Sequence, residues 1–186
     1  SWRSDLFGDD PNSNLEGHQG IEKWHSFRNT EPMWYATYLA MALPNLPAAW
    51  GFVKDQRGEV PQDIIDWMNE RFGFGGFPGT MSSAGQQFLW NALKCLMYGV
   101  SPFEAVPFVA DDGLFGLDME WRHPRTIYKF VVEDERLKKM EQWAVKSGVV
   151  YAGWDTYDID AERLCIFNHD REANNWWGKS MFRTAY

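Results

Sequence analysis

The chain has 186 residues, 45% hydrophobic and 17% aromatic, with a net charge of −8 from 26 acidic and 18 basic side chains. That length suits one domain with a core that needs no staples. The negative balance and the lack of a Lys/Arg-rich run argue against a protein that grips nucleic acid tightly. Cys95 and Cys165 stand far apart and outside any CxxC pair, which argues against a disulfide framework or a zinc site and fits synthesis in a reducing cytosol. The first twenty residues lack a basic start followed by an apolar stretch, so no signal peptide is expected. Nor does any apolar run approach the ~20 residues that span a bilayer. The 11 tryptophans are the compositional oddity, and side chains of that kind suit wide contacts between elements or subunits.

Residues 1–31, rich in Asp, Asn, Gly and Ser, read as a flexible N-terminal arm that orders on a neighbour. The structured domain is expected over 32–186, with Thr30 as N-cap and Pro32 near the first helical position. The run Met33–Leu43 is apolar almost all round, which predicts a buried helix stopped by Pro44 and Pro47. Trp50–Lys54 reads as a short strand and Asp55–Gly58 as its turn. A second helix opens at Pro61, with Ile64, Ile65, Trp67 and Met68 on one face, and ends in the Gly-rich loop 73–79. A third runs from about Ser82 to Tyr98 with Gly99 as C-cap, and Phe88, Leu89, Ala92, Leu93, Leu96 and Met97 recur at helical spacing.

Beyond Gly99 the period shortens to that of strands, at Phe103–Ala110, Leu114–Trp121, Thr126–Val132, Lys139–Val145 and Arg163–Phe167. Lys179–Tyr186 reads as the start of another helix, so the chain is expected to be part of a longer protein. Helices followed by a mostly antiparallel sheet make an α+β domain.

Catalytic signatures are weak. Ala173–Ser180 matches a relaxed P-loop, in which Lys179 would reach phosphate and Ser180 a magnesium ion. Five residues separate it from the preceding strand, however, and two Trp crowd its backbone. The loop 73–79 lacks any Lys and reads as a hinge anchored by Phe74 and Phe77. His18, His25, His123 and His169 form no HxH or HExxH pattern, and His169-Asp170 has no companions. Asp155, Asp158, Asp160 and Glu162 miss the calcium-loop spacing and read as a solvated turn. Glu70, Glu104 and Glu120 show no sign of convergence. No G-x-S-x-G elbow is present. No catalytic, cofactor-binding or metal-binding residue is therefore expected.

Three segments, in order, resemble one family. Ala92–Glu104 is similar to a phage portal pattern in which an apolar helix ends in Tyr98-Gly99, followed by Ser101 and Glu104. Arg122-His123-Pro124-Arg125-Thr126-Ile127 resembles the same family's Arg-x-Pro-x-Thr-Ile at a strand start. Ile159–Leu164, Phe167–His169 and Gly178–Tyr186 resemble its closing segment, with Gly178, Ser180, Arg183 and Tyr186 at the matching positions. The likeness spans roughly 30–186 and is to the N-terminal part of tailed-phage portal proteins of the Mu-like branch.

That resemblance implies the wing of a ring subunit running into the start of a stem helix, and a structural protein rather than an enzyme. It implies dodecameric rings at the capsid vertex, through which double-stranded DNA is packaged and ejected without sequence-specific binding. The implied partners are other copies of the chain, the major capsid protein, the terminase and the neck or tail adaptor, with no membrane. The implied place is the virion, after synthesis in the host cytoplasm. Two other readings stay open: a virion assembly or adaptor module that forms no ring, and a P-loop nucleotide-binding fragment.

Overall fold

The computed structural model describes residues 15, 17–48, 50–54, 60–74, 85–109, 113, 115–143, 156–172 and 174–183. Helices α1 (Gly17–Thr30), α2 (Pro32–Ala42), α3 (Gln62–Phe72), α4 (Gly85–Ala92) and α5 (Cys95–Tyr98) precede strands β1 (Val100–Val109), β2 (Phe115–Trp121), β3 (Ile127–Glu133), β4 (Arg136–Trp143), β5 (Thr156–Asp160) and β6 (Leu164–Asn168). The strands form two three-stranded sheets, β2-β1-β6 and β3-β4-β5, in which every pairing is antiparallel. The chain is thus an α+β protein, as the order of its periodicities indicates.

Local chemistry accounts for most of the boundaries. Pro32 sits at the start of α2, where its missing N–H is no loss. Gly73 closes α3 in the left-handed region (φ 71°), and Phe74 N–H returns to Asn69 O in a Schellman-type stop. Gly99 closes α5 with φ 88°. Asp134 and Glu135 both take positive φ, which gives the β3–β4 hairpin the tight turn that matches strand twist.

Two hydrophobic clusters fill the interior. The first joins Ile21 and Trp24 of α1, Tyr38 and Ala42 of α2, Met97 and Tyr98 of α5, and Ile127, Met140 and Ile159 of the second sheet, with Phe182 added from the C-terminal segment. The second joins Phe72 of α3, Phe88 and Leu89 of α4, and Phe103 and Met119 of the first sheet. Aromatic rings stitch each cluster. Trp34 lies 4.8 Å from both Phe27 and Phe182 by ring centroids, and Phe88 lies 4.6 Å from Phe103.

Several expectations need correction. The arm predicted over 1–31 contains α1, whose Ile21 and Trp24 are buried in the first cluster; residues 1–14 and 16 lie outside the described residues. Thr30 ends α1, its hydroxyl donating to Ser26 O, so Glu31 takes the N-cap position of α2. Helix α2 is not buried all round, because only Tyr38 and Ala42 are. Trp50–Lys54 forms no strand: the Asn69 side chain accepts from Phe52 N–H at 2.7 Å and donates to Phe52 O at 3.0 Å, replacing a neighbouring strand. The turn expected at 55–58 and the helix start at Ser82 lie outside the described residues.

The long third helix is broken at Leu93-Lys94 into α4 and α5. The acidic stretch read as a turn holds β5, where Ile159 points into the core while Asp158 pairs with Lys139 at 2.6 Å. Residues 179–182 are irregular or turn, with a short 3-10 turn at Arg183; residues 184–186 lie outside the described set. The expected helix is absent over 179–183.

Candidate functional site

The motif residues converge where the α5–β1 junction meets the C-terminal segment. Gly99 and Gly178 press backbone against backbone. A Cβ at Gly99 would stand 2.6 Å from Trp177 O, and one at Gly178 would stand 2.3 Å from Gly99 O. Both take positive φ (88° and 60°), so glycine is required twice over. Around them the backbone is sewn shut. His169 N–H donates to Gly99 O (2.9 Å), Lys179 N–H to His169 O (2.8 Å), and Met181 N–H to Leu96 O (2.9 Å). The His169 ring adds Nδ1 to Lys179 O at 2.8 Å.

Two residues along, Ser101 is fully buried at the start of β1. Its hydroxyl donates to Asn91 O (2.7 Å) and accepts from Trp121 Nε1 (2.8 Å), tying α4 to β2. Lys94, also buried, donates to Asn91 Oδ1 (2.7 Å) and lies 3.8 Å from the centre of the Trp121 ring. Burial pulls its ammonium pKa down to about 8. Tyr98 is buried as well, with its hydroxyl 3.0 Å from His25 Nδ1 and its ring 5.5 Å from that of His123. Burial, with His25, Lys94 and Arg125 nearby, pushes His123 down to about 4. His25 is lowered too, by burial first and Arg125 next.

Glu104 is 5% exposed and opposes Glu120 across the β1–β2 register. One carboxylate oxygen meets Arg122 and the other meets Arg163, while Arg122 also reaches Glu120 at 2.7 Å. The cluster pins β2 and the entry to β6 onto β1. Pro124 opens a short 3-10 turn, Pro124–Thr126, capped by His123 Nδ1, which accepts from Arg125 N–H. Thr126 hydroxyl donates to His123 O (2.7 Å) and accepts from Gln142 (2.6 Å), joining that turn to β4.

Tyr98, Gly99, Ser101, Gly178 and Ser180 therefore gather at one crossing. Glu104 and Arg122 form an adjoining ion cluster, Pro124 and Thr126 set the entry to β3, and Arg183 lies in the last described turn. Tyr186 lies outside the described residues. Sequence reasoning missed Asn91, Lys94, Trp121 and Arg163. A polar Asn-x-x-Lys pair inside an apolar helix was the one signal for the first two.

The arrangement does not cradle phosphate. The N–H groups of Trp176, Trp177, Gly178 and Lys179 all donate to protein acceptors. Lys179 is ion-paired with Glu172, and Ser180 is buried, its oxygen accepting from Phe182 N–H. A P-loop needs those same groups turned outward. Among the described residues no group of three or more His, Cys, Asp or Glu is placed to hold a metal ion. Gly73 is spent on the α3 cap and Phe74 packs with Phe52 and Phe72; the rest of that loop lies outside the described residues.

Residues 37–186 match the family model described as the portal protein of Mu bacteriophage. The chain belongs to that portal family. No curated protein matches it. The family makes this a phage structural protein of the capsid, of a kind that forms homo-oligomeric rings. Helix α1 lies before the matched stretch, yet its Ile21 and Trp24 share a core with portal-family residues. Among the described residues no helix is long and apolar enough to cross a membrane.

Proposed function

We propose that this chain is the wing part of a portal ring subunit, its α+β unit, with α1 packed into the same core, leading toward a stem. The ring would sit at one capsid vertex, pass double-stranded DNA during packaging and ejection, and dock the terminase, the major capsid protein and later the neck or tail. The family match over 37–186 carries this reading. The inward-turned motif residues agree with it: their polar groups hold strands and helices in place, as a ring of fixed bore requires of its subunits. The net charge of −8 agrees as well, since a negative surface repels phosphate and lets DNA slide.

Negative-stain microscopy and native mass of the protein, with any natural continuation of the chain, provide the test. The expected result is a closed ring of about twelve copies with a central hole. A monomer that still binds capsid or neck proteins would instead identify an adaptor module. ATP with magnesium is expected to leave the melting temperature unchanged, and a shift abolished by Lys179→Ala would return the P-loop reading.

A further inference from the structure

Helix α1 lies before the portal-family match, and its side chains sort into two stripes. Ile21, Trp24 and Phe27 recur at helical spacing and pack on the first cluster, Trp24 and Phe27 against the Trp34 ring. Beside them His18, Glu22 and His25 stand four and then three residues apart, so they share a second stripe. That stripe meets α5 and the Pro124–Thr126 turn through polar side chains. His25 Nδ1 lies 3.0 Å from the Tyr98 hydroxyl, and Glu22 accepts from Arg125 Nε at 2.7 Å. The His25 and His123 rings meet edge to face, 5.8 Å apart by centroids.

The charges around these two imidazoles are unbalanced. Arg28 comes from α1, Lys94 from the α4–α5 junction and Arg125 from the turn. Glu22 is the carboxylate that faces His25, and it is already engaged by Arg125 and lies near His18. Helix α2 carries no charged side chain, and β3 meets α1 within the apolar cluster. The C-terminal segment places Lys179 and Arg183 beside Ile21 and Trp24, and Lys179 is paired with Glu172. A proton added to each imidazole would therefore set two like charges face to face beside two arginines. The Tyr98 hydroxyl takes a hydrogen bond from Arg28, which leaves its own proton for His25 Nδ1, a nitrogen that accepts only while unprotonated.

We propose that α1 is an acid-released strap: protonation of His25 and His123 lifts it from α5 and the Pro124–Thr126 turn while both sheets stay folded, uncovering the aromatic seat of Trp24. The inference does not depend on ring formation. Helix α1 pairs with no strand and is joined to α2 by Glu31 alone, so it opens at less cost than a sheet strand. Burial first and the facing His25 next hold His123 down to about 4, and burial with Arg125 lowers His25. Both bases bind fewer protons docked than free. Docking is thus complete above about pH 6.5 and weakens as pH falls toward 4. Lys94, brought to about 8 by burial, is charged throughout that window. Glu22 is held below the usual carboxylate range by the Arg125 hydrogen bond and keeps its charge through most of it.

Hydrogen exchange of the full chain, expressed as protection relative to the intrinsic rate at each pH, provides the test. From about pH 7.5 to about pH 5 the amides of residues 21–30 are expected to lose protection about tenfold or more, reversibly. Those of 127–133 and 136–143 should change by less than about threefold. His25→Gln with His123→Asn keeps hydrogen-bond acceptors and removes both titrations, so α1 protection in that variant should stay flat over the same range. A wild-type α1 that keeps its protection at the lower pH would overturn the inference. Loss of protection in both sheets together with α1 would also overturn it, since that is global unfolding. A double variant that loses α1 protection as steeply as the wild type would do the same. The two wild-type outcomes decide the matter even if the double variant does not fold.

Discussion

The crossing at Gly99 and Gly178 and the outer face of α2 treat the same problem in opposite ways. At the crossing, carbonyls, amides, a buried hydroxyl and a buried lysine all find partners inside the chain, and two glycines remove the last obstacle to close approach. On α2 an uncharged helix face is exposed, with none of the described residues packed upon it. The residues that look functional because they form a motif are thus the ones that build the subunit. The outward surface has no motif, only a lack of charge. In a structural subunit this division is expected, since the fold must hold its shape while the centre of a contact between copies is depleted of charge.

The sharpest way to break that contrast is to put a methyl group into the crossing. Gly178→Ala places a Cβ 2.3 Å from Gly99 O at a positive φ, and Gly99→Ala meets Trp177 O at 2.6 Å. Each is expected to cost more than ~3 kcal/mol, from clash and backbone strain together. Thermal melts should show loss of the cooperative transition or a fall of more than ~6 °C. Normal melting by either variant would show that the two segments do not meet this closely.

Glu104→Gln comes next. It removes the charge that holds Arg122 and Arg163, and breaking a fully buried pair costs ~3–5 kcal/mol. Arg163 is half exposed and Arg122 partly so, which lowers the expectation to about 2 kcal/mol. Urea unfolding should show it as a lower midpoint with an unchanged slope. Hydrogen exchange along β6 should rise with it.

The third prediction concerns acid. His123 is held down to about 4 in the fold, against 6.5 when unfolded, and His25 is lowered as well. Between those values the unfolded chain binds more protons than the native one, so stability is complete above about pH 6.5 and is lost as pH falls toward 4. His123→Asn keeps a capping acceptor for the Pro124–Thr126 turn and removes this titration. Its melting temperature should fall less steeply over that window than the wild type's, and parallel profiles would remove His123 from the account.

The smallest effect is expected at Tyr38, which is 1% exposed and has a hydroxyl with no hydrogen-bond partner among the described residues. Tyr38→Phe spares the fold the desolvation of that group and should leave stability unchanged or raise it by up to ~1 kcal/mol. A clear loss in a calorimetric scan would mean the hydroxyl is engaged.

Much of the architecture was legible because single residues dictate it. Gly99 had to end a helix, Pro124 had to open a turn, and strong apolar alternation marked most of the strands. Three features were hidden for physical reasons. The apolar residues of α1 are diluted by Gly17, Gly20 and a polar surface, so its helical period of Ile21, Trp24 and Phe27 was masked by composition. Strand β5 alternates Tyr157, Asp158, Ile159 and Asp160, a proper strand period that the density of acids disguised as a turn. The apolar run of α2 predicts burial, but periodicity cannot distinguish burial in a monomer from burial in an assembly. At the site the motif order was readable, while its links through Asn91, Lys94 and Trp121 depend on folding and leave no local signature.

Hydrogen exchange on the isolated subunit and on the assembled protein measures the crossing directly. Amides of residues 98–104 and 177–182 should already be protected in the isolated subunit and change little on assembly. A crossing that exchanges freely until the ring forms would contradict the inward-built motif.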